Sequence, residues 1–533
     1  MASENNTDVL IIGAGPTGLI LALELSLQDI PFRIIDSSPS RSPYSRAFAI
    51  HPRSLELLSR HGGILPNLVK RGTFNLSVQL FSNKKPIFTI KLQDTPFKDS
   101  MLPGPLFVSQ AITEEIMAGA LSGYGKAVEW GVTAVKVEQD DNGADVVLQH
   151  ANGSDETIRA KYVVGCDGAH SIVRKAAGLS FEGAAYPQDF ILADVHLKWE
   201  HKTNLHIFIG HYGLLAALPL QNGVFRLICS RPFETDKETE PTLNDFRAAI
   251  KQQVPGEVEI SNPIWMTRFR IHHRIASNYR SGRLFVAGDA AHIHSPAGGQ
   301  GINTGIQDSV NLGWKLARVL RGQSPDSLLD SYSIERHKVG LAILHGTDRI
   351  FEMMATTNPI FLFLRNWLVP WVVPFVMGNA ERRANRMRFV SQLGIRYRES
   401  PIVGNSRNWN GKLRGGNRAA DGKLIASGEE TTLIGLLKGP GYRMLLFSGI
   451  GEGSFGIEEL RETGSTLIES KENVTVHKIL NSEDKSGEGL VDVGGDLHEW
   501  YGFEEPGFVL VRPDGYIGFI GYLKDQDGPI QLA

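Results

Sequence analysis

Along the first 320 residues, short runs of consecutive apolar side chains alternate with longer stretches in which apolar positions recur every three or four residues. Residues 9–12, Val-Leu-Ile-Ile, form a continuous run of buried-strand type, and residues 19–25 carry a helical pattern. Residues 32–36, Phe-Arg-Ile-Ile-Asp, predict a second strand that ends on an acid. Another apolar strand begins at Val163 and is broken by Asp167-Gly168. Residues 281–287 predict an arginine-led buried strand, and residues 302–320 a helix with Ile302, Ile306, Val310, Leu316, Val319 and Leu320 as core positions. From about 178 to 279 the chain alternates instead with a period of two. Residues 190–197, 205–209, 215–220 and 225–229 there predict the strands of an inserted sheet.

The last third reads differently. Residues 397–430 are rich in glycine, arginine, asparagine and serine with little periodicity, which predicts a long linker. Residues 442–447, 474–479 and 508–517 predict strands of a separate domain, the last folding back through a turn at Pro513-Asp514-Gly515. The expected division is therefore 1–178 and 280–400 for two parts of one α/β domain, the first lending strands near 73–108 to the inserted sheet. Residues 179–279 are that sheet, 401–430 the linker and 431–533 the terminal domain.

A chain of 533 residues, 42% hydrophobic and 21% charged, has material for several cores and is not a disordered chain. A net charge of −3 gives no electrostatic case for nucleic acid, and the arginines from Arg382 to Arg388 read as a solvated helix face. Two cysteines, Cys166 and Cys229, build neither a disulfide framework nor a multi-cysteine metal site, so a reducing, cytoplasmic location is expected. The polar amino terminus lacks the features of a secretory signal. Residues 359–377 are long and apolar, but Arg365, Asn366, Pro370 and Pro374 interrupt them. A buried or interfacial helix followed by an irregular turn is expected in place of an integral span. Peripheral membrane contact stays open, as does a homodimer.

Chemistry enters through glycine. Gly13, Gly15 and Gly18 lie between the first strand and its helix: one permits a tight turn, one lets a pyrophosphate approach, and one lets helix and strand pack closely. Asp36 stands at the spacing of a carboxylate that meets the adenosine ribose. Far downstream, Gly288-Asp289 and the loop to Gly298-Gly299-Gln300-Gly301 offer an acid, bare amides and a second helix start. Together the two stretches describe the two ends of one long cofactor, FAD. His292 and His294 flank the second stretch and make a poor metal pair, so no metal is expected. Gly451 to Gly456 imitates the first motif, but Glu452 would oppose a pyrophosphate and no acid-ending strand follows.

These residues resemble the FAD-dependent aromatic hydroxylases, single-component flavoprotein monooxygenases of the phenol hydroxylase and polyketide hydroxylase type. The carriers are the Gly13 fingerprint, Ser45-Arg46-Ala47 with Pro52 to Glu56, Ser109-Gln110, the Asp167-Gly168 segment, Gly288-Asp289 through Asn303, Asp308 to Lys315, and Tyr332 with Glu335-Arg336. The resemblance implies a Rossmann-like FAD-binding domain, an inserted β-sheet substrate domain and a thioredoxin-like carboxyl-terminal domain, here without cysteines. It implies that Asp289 binds the ribityl chain, Asp36 the adenosine ribose, and Arg46 and Gln110 other polar parts of FAD. Pro296, Gly299, Gly301 and Asn303 would border the isoalloxazine. For Asp167 two readings stand side by side, support of the dinucleotide loop and direct cofactor contact. The implied reaction uses NAD(P)H and dioxygen, through a flavin hydroperoxide, to hydroxylate a phenolic or polycyclic aromatic compound of secondary metabolism. Baeyer–Villiger oxidation or epoxidation is the nearest alternative, and a non-catalytic binding protein of the same fold a more distant one.

One departure bears on the substrate. Phenol hydroxylases of this pattern carry an acid two places after the arginine equivalent to Arg46, where this chain has Phe48. Candidates for the missing polar task are Arg226, His211, Tyr212 and His272, then His206, Arg270 and Tyr279, because a base or cation that stabilises phenolate would serve. An apolar Phe48 also suits a larger, polycyclic or prenylated substrate.

Overall fold

The computed structural model describes residues 6–42, 48–94, 97–200, 203–210, 213–220, 223–230, 240–295, 298–355, 358–451, 453–467, 474–481 and 489–525. Four parallel strands form the heart of the first sheet, in the spatial order Leu284–Val286, Asp155–Gly165, Asn6–Ile12, Phe32–Asp36. Ile12 stands beside both Gly165 and Ile35, and Gly165 beside Val286, so all four strands end at one level. Helices Pro16–Leu27 and Gln300–Leu320 pack on one another and share this sheet's core. The tightness of that packing explains two glycines. A Cβ on Gly13, where φ is +102°, would lie 2.4 Å from the Cys166 carbonyl oxygen, and one on Gly18 would lie 1.9 Å from that of Gly13.

The second sheet has eight strands, and its two longest, Phe181–Lys198 and Glu259–Ala276, pair antiparallel along most of their length. Strands Ser77–Ser82 and Lys85–Lys91 join it from the amino-terminal part of the chain. Side-chain alternation gives it two apolar faces. Ile191, Ala193, Val195, Leu215 and Leu227 pack on the helix Leu243–Gln253. On the opposite face Tyr186, Phe190, Leu214, Ile228 and Phe269 gather around Val369 and Val373 of the helix Pro359–Gly378.

That helix differs from expectation. It runs unbroken through Pro370 and Pro374, with no irregular turn, and most of its surface is exposed. Each proline removes one backbone bond, and the seating of Val369 and Val373 on the sheet holds the segment helical across them. Among the described residues, Ile360–Gly378 is the one stretch long and apolar enough to cross a membrane by length and composition.

The third sheet, eight-stranded and mixed, contains Tyr442–Phe447, Val474–Leu480, Gly507–Val511 and Ile517–Tyr522. The hairpin turn lies where expected, with Arg512 N–H donating to the Tyr516 carbonyl at 2.7 Å. The expected linker at 401–430 is not one. Gly404–Asn405, Lys423–Ala426 and Glu429–Thr432 are strands of this sheet, and Arg418 is buried against Glu56 and Asp99. Arg418 is a charge buried in ion pairs, which the sequence pattern does not distinguish from the exposed charges around it, such as Arg407 and Arg414.

Candidate active site

The level ends of the four parallel strands bring Gly13, Asp36, Asp167 and Gly288-Asp289 to one edge, the usual ligand position of such sheets. Helix Pro16–Leu27 starts there without a side-chain cap and with no acid in its first turn. A Cβ on Gly15 would meet nothing within 4 Å, so open space lies over amides that favour an anion. Asp36 is fixed beside them: its two carboxylate oxygens accept the Ala14 and Ser38 amides, each at 2.8 Å. Gln300–Leu320 supplies a second uncapped helix start at Gly299, where φ is +64°. The two glycine stretches meet in space. Ser309 Oγ donates to the Thr17 carbonyl at 2.7 Å, and a Cβ on Gly288 would lie 2.5 Å from Thr17 Oγ1.

A buried frame holds this edge. Asp308 Oδ2 accepts the Gly288 amide at 3.1 Å and lies 2.7 Å from His292 Nε2, while Oδ1 accepts Arg336 Nε at 2.7 Å. Burial would push the Asp308 carboxyl up, but Arg336 and His292 outweigh it and hold the pKa below its ordinary value. Arg174 donates to the carbonyls of Ala169 and Ala290, at 2.7 and 2.9 Å, and so ties the Asp167 segment to the Gly288 turn. Asp167 Oδ2 accepts the Ile172 amide at 2.7 Å, which is structural support. Its Oδ1 is buried without a hydrogen-bond partner, and burial raises the carboxyl's pKa.

The loop before the second helix is clamped by His51 and Asn303. The Asn303 amide donates to the carbonyls of Ala49 and Gly299, at 3.0 and 2.8 Å, and its oxygen accepts the His51 amide at 2.7 Å. His51 Nε2 lies 2.7 Å from the Gly298 carbonyl, so the neutral ring donates there. Burial pushes His51 and His294 each down to about 4. Gly301 opens toward His294, whose Cε1 would lie 3.8 Å from a Cβ at that position. Asp289 is exposed at the end of its strand, and Gln110 donates to Glu114 at 2.8 Å. Arg46, His211, Tyr212 and Pro296 lie outside the described residues.

The polar candidates on the second sheet separate. Arg226 is buried and forms a two-point bond with Asp194, at 2.9 and 2.8 Å. By alternation it shares the face of Ile228, opposite the helix Leu243–Gln253. His206 lies on the other face, stacked among Trp199, Phe81 and Phe208. Arg270 is half exposed and paired with Asp189 at 3.1 Å. His272 is partly buried, its pKa lowered by burial and by Arg274. Tyr279 is wholly enclosed beside His292, Tyr332 and His337, and burial pushes its hydroxyl well up. Phe48 packs on Phe107 with Leu76, Leu92 and Met387 around it, an apolar wall next to Ala49 and the Gly299 loop. Sequence reasoning assigned no role to His51, Arg174 or Asp194. His51 had a nearby signal in the Pro52-Arg53 motif that follows it, and Arg174 in the Asp167-Gly168 segment that it closes. In the third sheet, Glu459 accepts the Gly456 amide at 2.7 Å and so fills the helix start that a phosphate would need.

The family described as FAD binding domain matches residues 6–347. The 6-methylpretetramide 4-monooxygenase of Streptomyces rimosus is 32% identical over 96% of this chain and 90% of its own length. The pentachlorophenol 4-monooxygenase of Sphingobium chlorophenolicum is 30% identical over 96% and 93%. Among solved structures, the OxyS anhydrotetracycline hydroxylase from Streptomyces rimosus superposes with a TM-score of 0.73 at 27% identity, covering 98% of this chain and 96% of that one. The flavin-dependent monooxygenase PieE, in complex with FAD and substrate, superposes with a TM-score of 0.79 over 97% and 96%, and at 22% identity this is a likeness of fold. With the family's domain spanning most of the chain and its relatives matching end to end, the chain belongs to the FAD binding domain family and is an FAD-dependent monooxygenase of the aromatic hydroxylase type.

Proposed function

We propose that this enzyme uses NAD(P)H and dioxygen to hydroxylate a phenolic or polycyclic aromatic compound of secondary metabolism. The observation that carries the reading is the packing of the Gly13–Gly18 turn, through Thr17, on both the Gly288 turn and the Gln300–Leu320 helix, with uncapped helix starts at Gly15 and Gly299 and with Asp36 and Asp289 at the strand ends. The first start would take the pyrophosphate, Asp36 the adenosine ribose and Asp289 the ribityl chain. Arg46 and Gln110 would reach other polar parts of FAD. The loop of Pro296, Gly299, Gly301 and Asn303 would border the isoalloxazine. Bound FAD supplies the two-electron chemistry that divides dioxygen between the aromatic ring and water. In balance, NAD(P)H, a proton, dioxygen and an aromatic C–H become NAD(P)⁺, water and a phenol.

The residues of this chain have three tasks around that chemistry. The second sheet acts as a substrate domain and roofs the ring site with its apolar face, which keeps water out. Phe48 and its apolar neighbours offer an apolar wall that suits a broad, greasy substrate in place of a simple phenol held by an acid. The Arg226 and Asp194 pair is a polar feature of that face, and Arg226, with His272, His211 and Tyr212, is the group to test for orienting a substrate hydroxyl. The third sheet, read as a thioredoxin-like domain without cysteine, serves packing. The reading is tested by following NAD(P)H oxidation across phenolic and polycyclic aromatics while product and released hydrogen peroxide are measured separately. Asp289→Ala should lose FAD. Full flavin occupancy in that variant would contradict the ribityl contact.

A further inference from the structure

The helix Pro359–Gly378 presents a surface that the proposed function does not use. Ile360, Phe361, Phe363, Trp367, Trp371 and Phe375 are each between 62% and 74% exposed, although all are large and apolar. At 100° per residue these positions, with Leu364, Leu368 and Val372, fill one half of the helix circumference. No acidic residue occurs from 359 to 378. The stretch from Ile360 to Phe375 gives a ridge about 24 Å long, well beyond the scattered apolar residues a monomer ordinarily exposes.

The other half of the helix is tied down. Val369 and Val373 sit in the second sheet's apolar face, and buried Arg365 donates to the Gly210 carbonyl at 2.7 Å. A helix held along one side in this way lies flat on whatever it meets; it cannot cross a bilayer without tearing out Arg365. The surroundings decide what it meets. The following helix, Ala380–Val390, brings Arg382 over the exposed Phe375 ring at 4.4 Å, with Arg383 and Arg386 beside it. Arg382 and Arg383 bond to backbone carbonyls of Phe375, Met377 and Asp94, and among the described residues neither forms a salt bridge. Strand Lys85–Lys91, against which the ridge helix packs, adds exposed Lys85 and Lys91. Against these stand the exposed acids Glu381 and Asp94, while Arg388 is spent on Asp99.

We propose that this face docks on an anionic phospholipid bilayer, with the aromatic ridge lying among the headgroups and acyl boundary and the basic rim on the lipid phosphates. Tryptophan and phenylalanine on one side of a helix with arginine at its margin are what an interfacial helix requires. Charge separates the bilayer from a second copy of this chain. Another copy would bring the same basic excess to the contact, whereas an anionic headgroup layer brings its opposite. The docking stands independently of the substrate reading.

Flotation of the purified FAD-loaded enzyme with vesicles of phosphatidylcholine, with and without about 30% phosphatidylserine, tests this. The enzyme should float with the anionic vesicles. Phe363→Glu/Trp371→Glu and Arg382→Glu/Arg386→Glu should each cut binding about tenfold or more. Flavin absorbance per chain should stay unchanged in both, because neither pair touches the cofactor edge. The proposal is overturned if the enzyme does not float, or if it binds both vesicle types equally and the variants bind as well as the parent. It is also overturned if light scattering shows a dimer that Phe363→Glu/Trp371→Glu dissociates, since the ridge would then be a contact between copies.

Discussion

His51 and His294 flank the loop that opens the Gln300–Leu320 helix, and burial holds both neutral, with pKa values near 4 in place of about 6.5. The sign follows from which state takes the proton. Between about 6.5 and 4 the unfolded or opened chain binds protons that the closed loop refuses. The stability these rings contribute is complete above 6.5 and is lost as pH falls toward 4, on the order of 3 kcal/mol for each ring. Flavin retention and melting temperature should both decline across that window. His51→Gln keeps a donor for the Gly298 carbonyl but does not titrate, so its decline should be shallower; an unchanged pH profile would contradict the role given to His51. Arg226 and Asp194 make a different point. Arg226→Ala strips the partner from a carboxylate only 14% exposed, and should cost about 3 kcal/mol. Arg226→Ala/Asp194→Ala should recover much of that loss. Strictly additive losses in chemical denaturation would show that the two side chains are not coupled.

At the scale of elements, the strand, turn and helix around Gly13 were legible in the sequence because apolar runs and glycine spacing report local geometry directly. The helix after Gly299 was legible for the same reason. Glycine also gives the sharpest test at this level. Gly15 has ordinary φ and open space where a Cβ would point, whereas Gly18 has backbone at 1.9 Å. Gly15→Ala should therefore melt like the parent when free of FAD yet bind FAD at least about tenfold more weakly, and Gly18→Ala should lower the melting temperature even without FAD. Parent-like FAD affinity in Gly15→Ala would show that the space over these amides is not the pyrophosphate site. Two elements were not legible. The segment 401–430 looked like a linker because its strands are short and its one arginine buried in ion pairs among the described residues, Arg418, finds its partners far away in sequence, in Glu56 and Asp99. The Pro359–Gly378 helix looked broken because proline content reports lost bonds but not the packing of Val369 and Val373 that outweighs them.

Across the whole molecule, buried charges join the third sheet to the flavin edge. Arg512 binds Glu335 at 2.6 Å, Glu335 also takes Lys315 at 2.8 Å, and Asp514 takes Asn311 at 3.1 Å. Lys315 and Asn311 belong to the helix that begins at Gly299, and Arg336, next to Glu335, holds Asp308. None of this network was visible in the sequence as a network, although Asp308, Lys315 and Glu335-Arg336 stood out as motif positions. Arg512→Ala leaves Glu335 short of a buried partner and should cost about 3–5 kcal/mol. The parent should melt in one calorimetric transition that FAD shifts as a whole; separate transitions for the first and third sheets would contradict the coupling. The central claim is a transfer of one oxygen atom from dioxygen to an aromatic ring. The most direct measurement is turnover of an accepted aromatic substrate under ¹⁸O₂ with NAD(P)H, read by mass spectrometry of the product. One ¹⁸O per product on a former ring C–H, with one NAD(P)H consumed for each, is the predicted result. Oxygen derived from water, or NAD(P)H oxidation that yields only hydrogen peroxide with every aromatic offered, would contradict it.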